Sequence, residues 1–197
     1  MTIRCNLTQH VLTLLLLFYP LQTLMAEPSL FIIDDRSADE FNATSGNEWK
    51  LVTDDVMGGV SKGQLTTGSV KDRKCLRMRG DVKLDNNGGF IQTILNLSED
   101  VLTTVPAYTG IMLEVYGNNE EYNVHLRTRN TWLPWQSYRA TFSAPQDWTT
   151  IYIPFTDFKP YRISKELNIG KLKRIGLVAI GREFSADLCI GKIGLYR

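Results

Sequence analysis

Two histidines, His10 and His125, occur in the 197-residue chain. A zinc centre of the enzyme type draws on several imidazoles, so His125 stands alone as a possible base in the main body of the sequence. Ser61 lies in Gly59-Val60-Ser61-Lys62-Gly63, the spacing of a nucleophile elbow, but that elbow leads from a strand into a helix and here a strand pattern follows at Gln64–Thr67, so a serine hydrolase is not expected. Asp54 and Asp55 form a carboxylate pair. On an extended chain such neighbours point to opposite faces and cannot flank one scissile bond, so a hydrolase would need a distant partner such as Glu114. The expectation is a protein that is not an enzyme, with no cofactor and no metal.

The densest local signal runs from Trp49 to Ser61, with Asp54-Asp55 ahead of Gly58-Gly59. Carboxylates in such a loop fold back onto backbone N–H groups, while the glycines take positive φ or admit another chain closely. A structural loop is the preferred reading and a calcium or ligand site the alternative. A second loop, Asp85-Asn86-Asn87-Gly88-Gly89-Phe90, has turn chemistry and enters a strand at once, and a plain hairpin turn is its preferred reading.

A polar face is the best candidate for binding. From Tyr122, the apolar Tyr122, Val124 and Leu126 alternate with Asn123, His125, Arg127 and Arg129. The preceding segment places Ile111, Leu113 and Val115 inward and Met112, Glu114 and Tyr116 outward, and the turn at Gly117-Asn118-Asn119 predicts that the two strands pair. Glu114, His125, Arg127, Trp135 and Arg139 are therefore expected on one surface, with Trp132 close by and Tyr138 in the core. Aromatic, guanidinium and amide groups together suit either sugar stacking or a protein hot spot. A solvated face is the bland alternative.

These residues need a scaffold of short strands. Apolar-rich segments recur at Leu30–Ile33, Trp49–Thr53, Gln64–Thr67, Cys75–Arg79, Phe90–Leu97, Ile111–Tyr116, Tyr122–Arg129, Gln136–Phe142, Trp148–Pro154, Ile175–Ile180 and Leu188–Tyr196, with turn residues between. That series predicts an all-β sandwich or barrel. No long amphipathic helix is expected; Asp39–Phe41 and Ser164–Leu167 are each long enough for one helical turn.

Residues 1–26 read as a secretory signal cut after Ala26: Arg4 is their only formal charge and the run from Val11 to Leu17 is apolar. Residues 27–197 are then one domain, periplasmic or secreted. The apolar run is too short for a permanent membrane anchor. Cleavage takes Arg4 from 22 basic residues and none from 21 acidic ones, so the mature domain is formally neutral and nucleic acid is not an expected partner. The basic runs Lys71–Lys74 and Lys171–Arg174 read as solvated turns. Cys75 and Cys189 remain, a possible disulfide in an exported protein or two free thiols.

Read together, "TDDVMGGVSKG" from Thr53, "LRMRGDV" from Leu76, "NNGGF" from Asn86, "YTGIMLEVYGN" from Tyr108, "YNVHLRT" from Tyr122, "YRATF" from Tyr138, "WTTIYIPFTDF" from Trp148 and "IGLVAIG" from Ile175 resemble the complex I intermediate-associated protein 30 family. The resemblance implies a galactose-binding-domain-like jelly-roll β-sandwich. It also implies a non-enzymatic assembly factor or chaperone that binds a protein partner or assembly intermediate, and it carries over no catalytic residue. A glycan-binding module is the alternative.

Overall fold

A computed structural model describes residues 28–38 and 40–197. The expected signal segment, with its cut after Ala26, and Asp39 lie outside the described residues. Twelve strands form: β1 (Leu30–Asp34), β2 (Trp49–Thr53), β3 (Lys62–Val70), β4 (Arg73–Val82), β5 (Phe90–Asn96), β6 (Gly110–Tyr116), β7 (Glu120–Thr128), β8 (Ser137–Ala144), β9 (Thr149–Pro154), β10 (Lys159–Tyr161), β11 (Leu172–Ile180) and β12 (Phe184–Tyr196). One short helix, α1 (Glu99–Thr104), bridges β5 to β6.

The strands make two antiparallel sheets. The first has the order β3-β4-β12-β6-β9, with β1 also paired to β12, and the second has the order β10-β8-β7-β11-β5-β2. Period-two alternation explains the stacking, because each strand presents one apolar row inward. Leu76, Met78, Ile111, Leu113, Leu188 and Ile193 from the first sheet meet Tyr122, Val124, Leu126, Tyr138, Ile175 and Leu177 from the second, all fully buried.

The strand expectations hold with small changes of boundary; of the two single-turn expectations, Asp39–Phe41 includes a residue outside the described ones and Ser164–Leu167 is corrected. Ser164–Leu167 is irregular, and the helix lies instead at Glu99–Thr104. The chain there is tied to the sandwich by the Tyr138 hydroxyl, which donates to the carbonyls of Lys165 and Glu166 at 3.0 and 3.1 Å. Those bonds hold the connection in place without needing a helix. β10, only three residues long and containing Pro160, extends the edge of the second sheet beside β8.

The second correction concerns β6 and β7, which do not pair. β6 lies between β12 and β9, whereas β7 lies between β8 and β11. The Gly117–Asn119 turn is an arch between the sheets, fixed by bonds from Gly117 N to the Pro145 carbonyl and from Asn119 N to the Ala144 carbonyl. A side chain at Gly117 would overlap Ala144. A hairpin and an arch bury the same alternating residues, so the pattern alone does not separate them.

Cys75 on β4 and Cys189 on β12 are joined by a disulfide, with Cα atoms 5.5 Å apart and a sequence separation of 114. Closing so long a loop restricts the unfolded chain strongly. Replacing both cysteines by serine is expected to cost about 2–5 kcal/mol in urea or guanidinium unfolding. An unchanged midpoint would contradict a stabilising bridge.

Candidate functional site

Two of the signals singled out in the sequence have different roles in the fold. The Trp49–Ser61 motif is a structural latch. Asp54–Met57 is a single 3-10 turn, not extended chain. It sends the Asp54 carboxylate fully inside, while Asp55 stays exposed and accepts from the Thr53 hydroxyl. Asp54 accepts from Ser61 N (2.9 Å), Ser61 Oγ (2.5 Å), Gly89 N (2.5 Å) and Phe90 N (3.3 Å). A Cβ at Gly59 or Gly88 would overlap that carboxyl group, and Gly58 takes φ of 86° at the end of the turn. Asn87 lies in the Asp85–Asn87 turn that brings Gly88 and Gly89 to the carboxylate; the expected hairpin there is corrected, because β4 and β5 belong to different sheets and the loop crosses between them. Trp49 is buried and donates from Nε1 to Asp34 Oδ2 at 2.8 Å. Burial alone raises the Asp54 pKa, but the hydrogen bonds from Ser61, Gly89 and Phe90 together outweigh it and hold the group below the usual carboxylate range.

The polar face is a groove across the outer side of the second sheet. His125 on β7 stands opposite Arg139 on β8 and Gly176 on β11, and Gly176 stands opposite Ile94 on β5. In the next row Arg127 faces Arg174, which in turn faces Asn96. A narrow slot of about 80 Å³ lies over His125, Gln92, Trp135 and Arg139. It adjoins a wider hollow of about 710 Å³ between Arg127, Arg174, Trp132 and Leu102, the two sharing Arg127 and Arg174 as walls.

Each side chain is positioned by neighbours. Arg139 donates from Nε to Ser137 Oγ at 2.9 Å and lies with its guanidinium 3.4 Å over the Tyr161 ring of β10. Arg127 donates to the carbonyls of Thr131 (3.1 Å) and Leu133 (3.0 Å), which fixes the loop carrying the tryptophans. Arg174 donates from Nε to Asn96 Oδ1 at 2.7 Å. Trp132 and Trp135 are 85% and 49% exposed at the rim. Burial lowers the pKa of all three arginines, and for Arg127 the neighbouring Arg174 adds to the effect. They nonetheless stay charged at neutral pH.

His125 is 9% exposed, and its Nε2 has no hydrogen-bond partner. Burial, reinforced by the Arg139 charge, pushes its pKa down to about 3, so the ring is neutral at physiological pH. A neutral imidazole carries one donor and one acceptor.

The structure therefore brings together His125, Arg127, Trp135 and Arg139 and removes Glu114. Glu114 lies on β6 in the first sheet, where it bonds Arg73 and lies 3.8 Å from Lys192. It is displaced because β6 and β7 form an arch. Arg174 and Gln92 line the groove and were not foreseen, nor was the stacking of Arg139 on Tyr161. Arg174 sits in a strand, not in a solvated turn, and the alternation of Arg174, Gly176 and Val178 with Ile175, Leu177 and Ala179 carries the signal that places it outward. Among the described residues no cluster of His, Cys, Asp or Glu converges to hold a metal ion, and no helix is long and apolar enough to cross a membrane.

Residues 39–190 match the model of the family described as complex I intermediate-associated protein 30. No curated protein matches the chain. In fold it is similar to the family 11 carbohydrate-binding module of a cellulosomal cellulase from Clostridium thermocellum, at a TM-score of 0.65 and 16% identity over 86% of this chain and 95% of that one. A family 11 carbohydrate-binding module from Clostridium thermocellum in complex with a β-1,3-1,4-mixed-linked tetrasaccharide gives a TM-score of 0.66 and 15% identity over 86% of this chain and 96% of that one. An exo-β-agarase is similar at a TM-score of 0.52 and 6% identity, over 84% of this chain and 25% of the enzyme.

Two titrations follow from this geometry. The folded His125 pKa lies below the ordinary value of 6.5, so stability is full above that value and declines as the pH falls, because the unfolded imidazole takes up a proton that the folded one refuses. NMR of the His125 ring is expected to show the neutral form throughout pH 5–8; a midpoint near 6.5 would contradict its burial. Asp54→Asn is expected to cost about 3 kcal/mol at pH 7, since it sets an amide donor against a cluster of donors. Its folded pKa is lowered, so the wild type loses this contribution only as the pH falls below about 4, and the variant's deficit in urea unfolding narrows there. A deficit independent of pH would contradict the latch.

Proposed function

Because the chain belongs to the complex I intermediate-associated protein 30 family and folds as a jelly roll, we propose that it is a non-catalytic binding module holding a polysaccharide chain in the groove of its second sheet. The observation that carries this reading is the make-up of the groove. It is floored by side chains standing off a sheet face and rimmed by Trp132 and Trp135. Extended peptides dock by adding a strand to an open sheet edge, and helical ones dock into an apolar groove. This groove is neither. Its guanidinium, amide and imidazole groups suit hydroxyls, and an exposed indole supplies a stacking surface for an apolar sugar face. The family 11 module of similar fold, seen with a tetrasaccharide, supports the same class of ligand.

The Cys75–Cys189 disulfide supports a location outside the cytoplasm, in the periplasm or the medium, since such bonds persist in oxidising compartments. That is consistent with reading residues 1–26 as a cleaved signal.

A protein partner is the second reading, and a different surface favours it. On and beside the latch loop, Val56 and Met57 are 71% and 58% exposed, with Leu84 close to the same turn system. This apolar knuckle is separate from the groove.

Affinity electrophoresis against a panel of neutral and acidic polysaccharides separates the two. Retardation by at least one polysaccharide is expected, and Trp135→Ala, which removes an exposed aromatic worth about 1–2 kcal/mol, is expected to weaken it roughly tenfold or more. Migration unaffected by every polysaccharide, with an envelope protein captured by the wild type and lost in the Val56→Ser/Met57→Ser variant, would overturn the glycan reading in favour of the protein one.

A further inference from the structure

Six arginines project from strands among the described residues, and they fall into two groups by sheet. On β4 of the first sheet each has a carboxylate: Arg73 pairs with Glu114, and Arg77 and Arg79 reach Asp187 at 2.6 and 3.3 Å. On the second sheet Arg127, Arg139 and Arg174 have none; their hydrogen bonds go to carbonyls, a hydroxyl and an amide oxygen. The two hollows of the groove are lined by five cations, Arg127, Arg129, Arg139, Lys173 and Arg174, against a single carboxylate, Glu99. Yet the whole chain carries a formal charge of only +1. The groove residues sum to +4 and the remainder of the chain to −3, so the excess of positive charge lies in the groove.

That arrangement works against folding. Like charges directly opposite on neighbouring strands repel, and Arg127 and Arg174 are such a pair. Taking guanidinium groups partly out of water without a counter-charge adds a further cost. A ligand that brings negative charge between these strands relieves both. His125 Nε2, buried and without a partner beside Arg139, adds an uncharged hydrogen-bonding position on the same floor. Neighbouring strands lie about 4.8 Å apart and alternate residues about 6.6 Å apart along a strand, so the guanidiniums form a short two-row array, not a single point. A linear chain with anionic groups at regular intervals matches such an array better than a lone anion.

Resting on the polysaccharide reading of the groove, we propose that its ligand is an acidic polysaccharide whose carboxylate or sulfate groups seat on Arg127, Arg139 and Arg174. Planar carboxylates accept two parallel bonds from one guanidinium, and sulfate oxygens accept from the same fork. The tryptophans at the rim then take the uncharged faces of the sugar rings.

The test is calorimetric titration of the purified protein with polygalacturonate, with its carboxyl-reduced and hence neutral counterpart, with dextran sulfate, and with poly-L-glutamate. Binding of polygalacturonate or dextran sulfate is expected, at least tenfold tighter than binding of the carboxyl-reduced chain and weakened by raising NaCl from 50 to 500 mM as the charges are screened. Which of the two acidic chains binds tells carboxylate from sulfate. Arg174→Gln is expected to weaken binding tenfold or more while leaving the melting temperature unchanged or raised, because it removes one of two facing like charges. A purely structural arginine would lower both together, and that result would overturn the proposal. Equal affinity for the native and carboxyl-reduced chains would overturn the anionic specificity and leave the polysaccharide reading standing. Poly-L-glutamate binding as tightly as the acidic polysaccharides would overturn the glycan as occupant, and no binding to any polysaccharide would sink both readings.

Discussion

A carboxylate sealed inside a protein must have its charge met by donors, and at Asp54 those donors come from two loops far apart in sequence. Ser61 supplies one side, and Gly89 with Phe90 the other. The latch therefore fixes where β5 begins. Phe90, Gln92 and Ile94 alternate outward from that start and line the groove. The glycines around it are small because the carboxyl group occupies the space a side chain would need. A motif that looks chemical in the sequence thus acts through placement, setting the row of β5 side chains that lines the groove on another surface.

The two sheets have outer faces of opposite electrostatic design. The first neutralises itself, with Arg73, Arg77 and Arg79 all partnered by acids. The second leaves its arginines without acids and backs them with packing instead: Tyr161 beneath Arg139, loop carbonyls around Arg127, an amide beside Arg174. Those neutral partners hold the guanidiniums in position without spending their charge. Such preorganisation lowers the entropy lost when a ligand binds.

Much of this was legible in the residues, and the limits have physical causes. Period-two alternation gave the strands, since each buries one flank. It placed His125 and Arg127 on an outward row and Tyr138 in the core. It misplaced Glu114, because residues 111–115 and 122–126 show the same pattern whether the turn at Gly117 folds within one sheet or arches between two. It passed over Arg174 because a basic run beside a strand looks like a solvated turn until its phase is counted from Ile175 inward. β10 is three residues long around a proline and has no pattern to read. The partners of Asp54 lie up to 36 residues away. Sequence chemistry marks such a carboxylate as one that needs donors without saying which loops provide them.

The account is tested most directly by arginine side-chain NMR during titration with a short oligogalacturonate. The Nε–Hε resonances of Arg127, Arg139 and Arg174 are predicted to shift together and saturably, while those of Arg73, Arg77 and Arg79 on the first sheet stay still. Shifts confined to the first sheet, or to the backbone around Val56 and Met57 with the groove arginines unmoved, would contradict the assignment of the groove as the binding site.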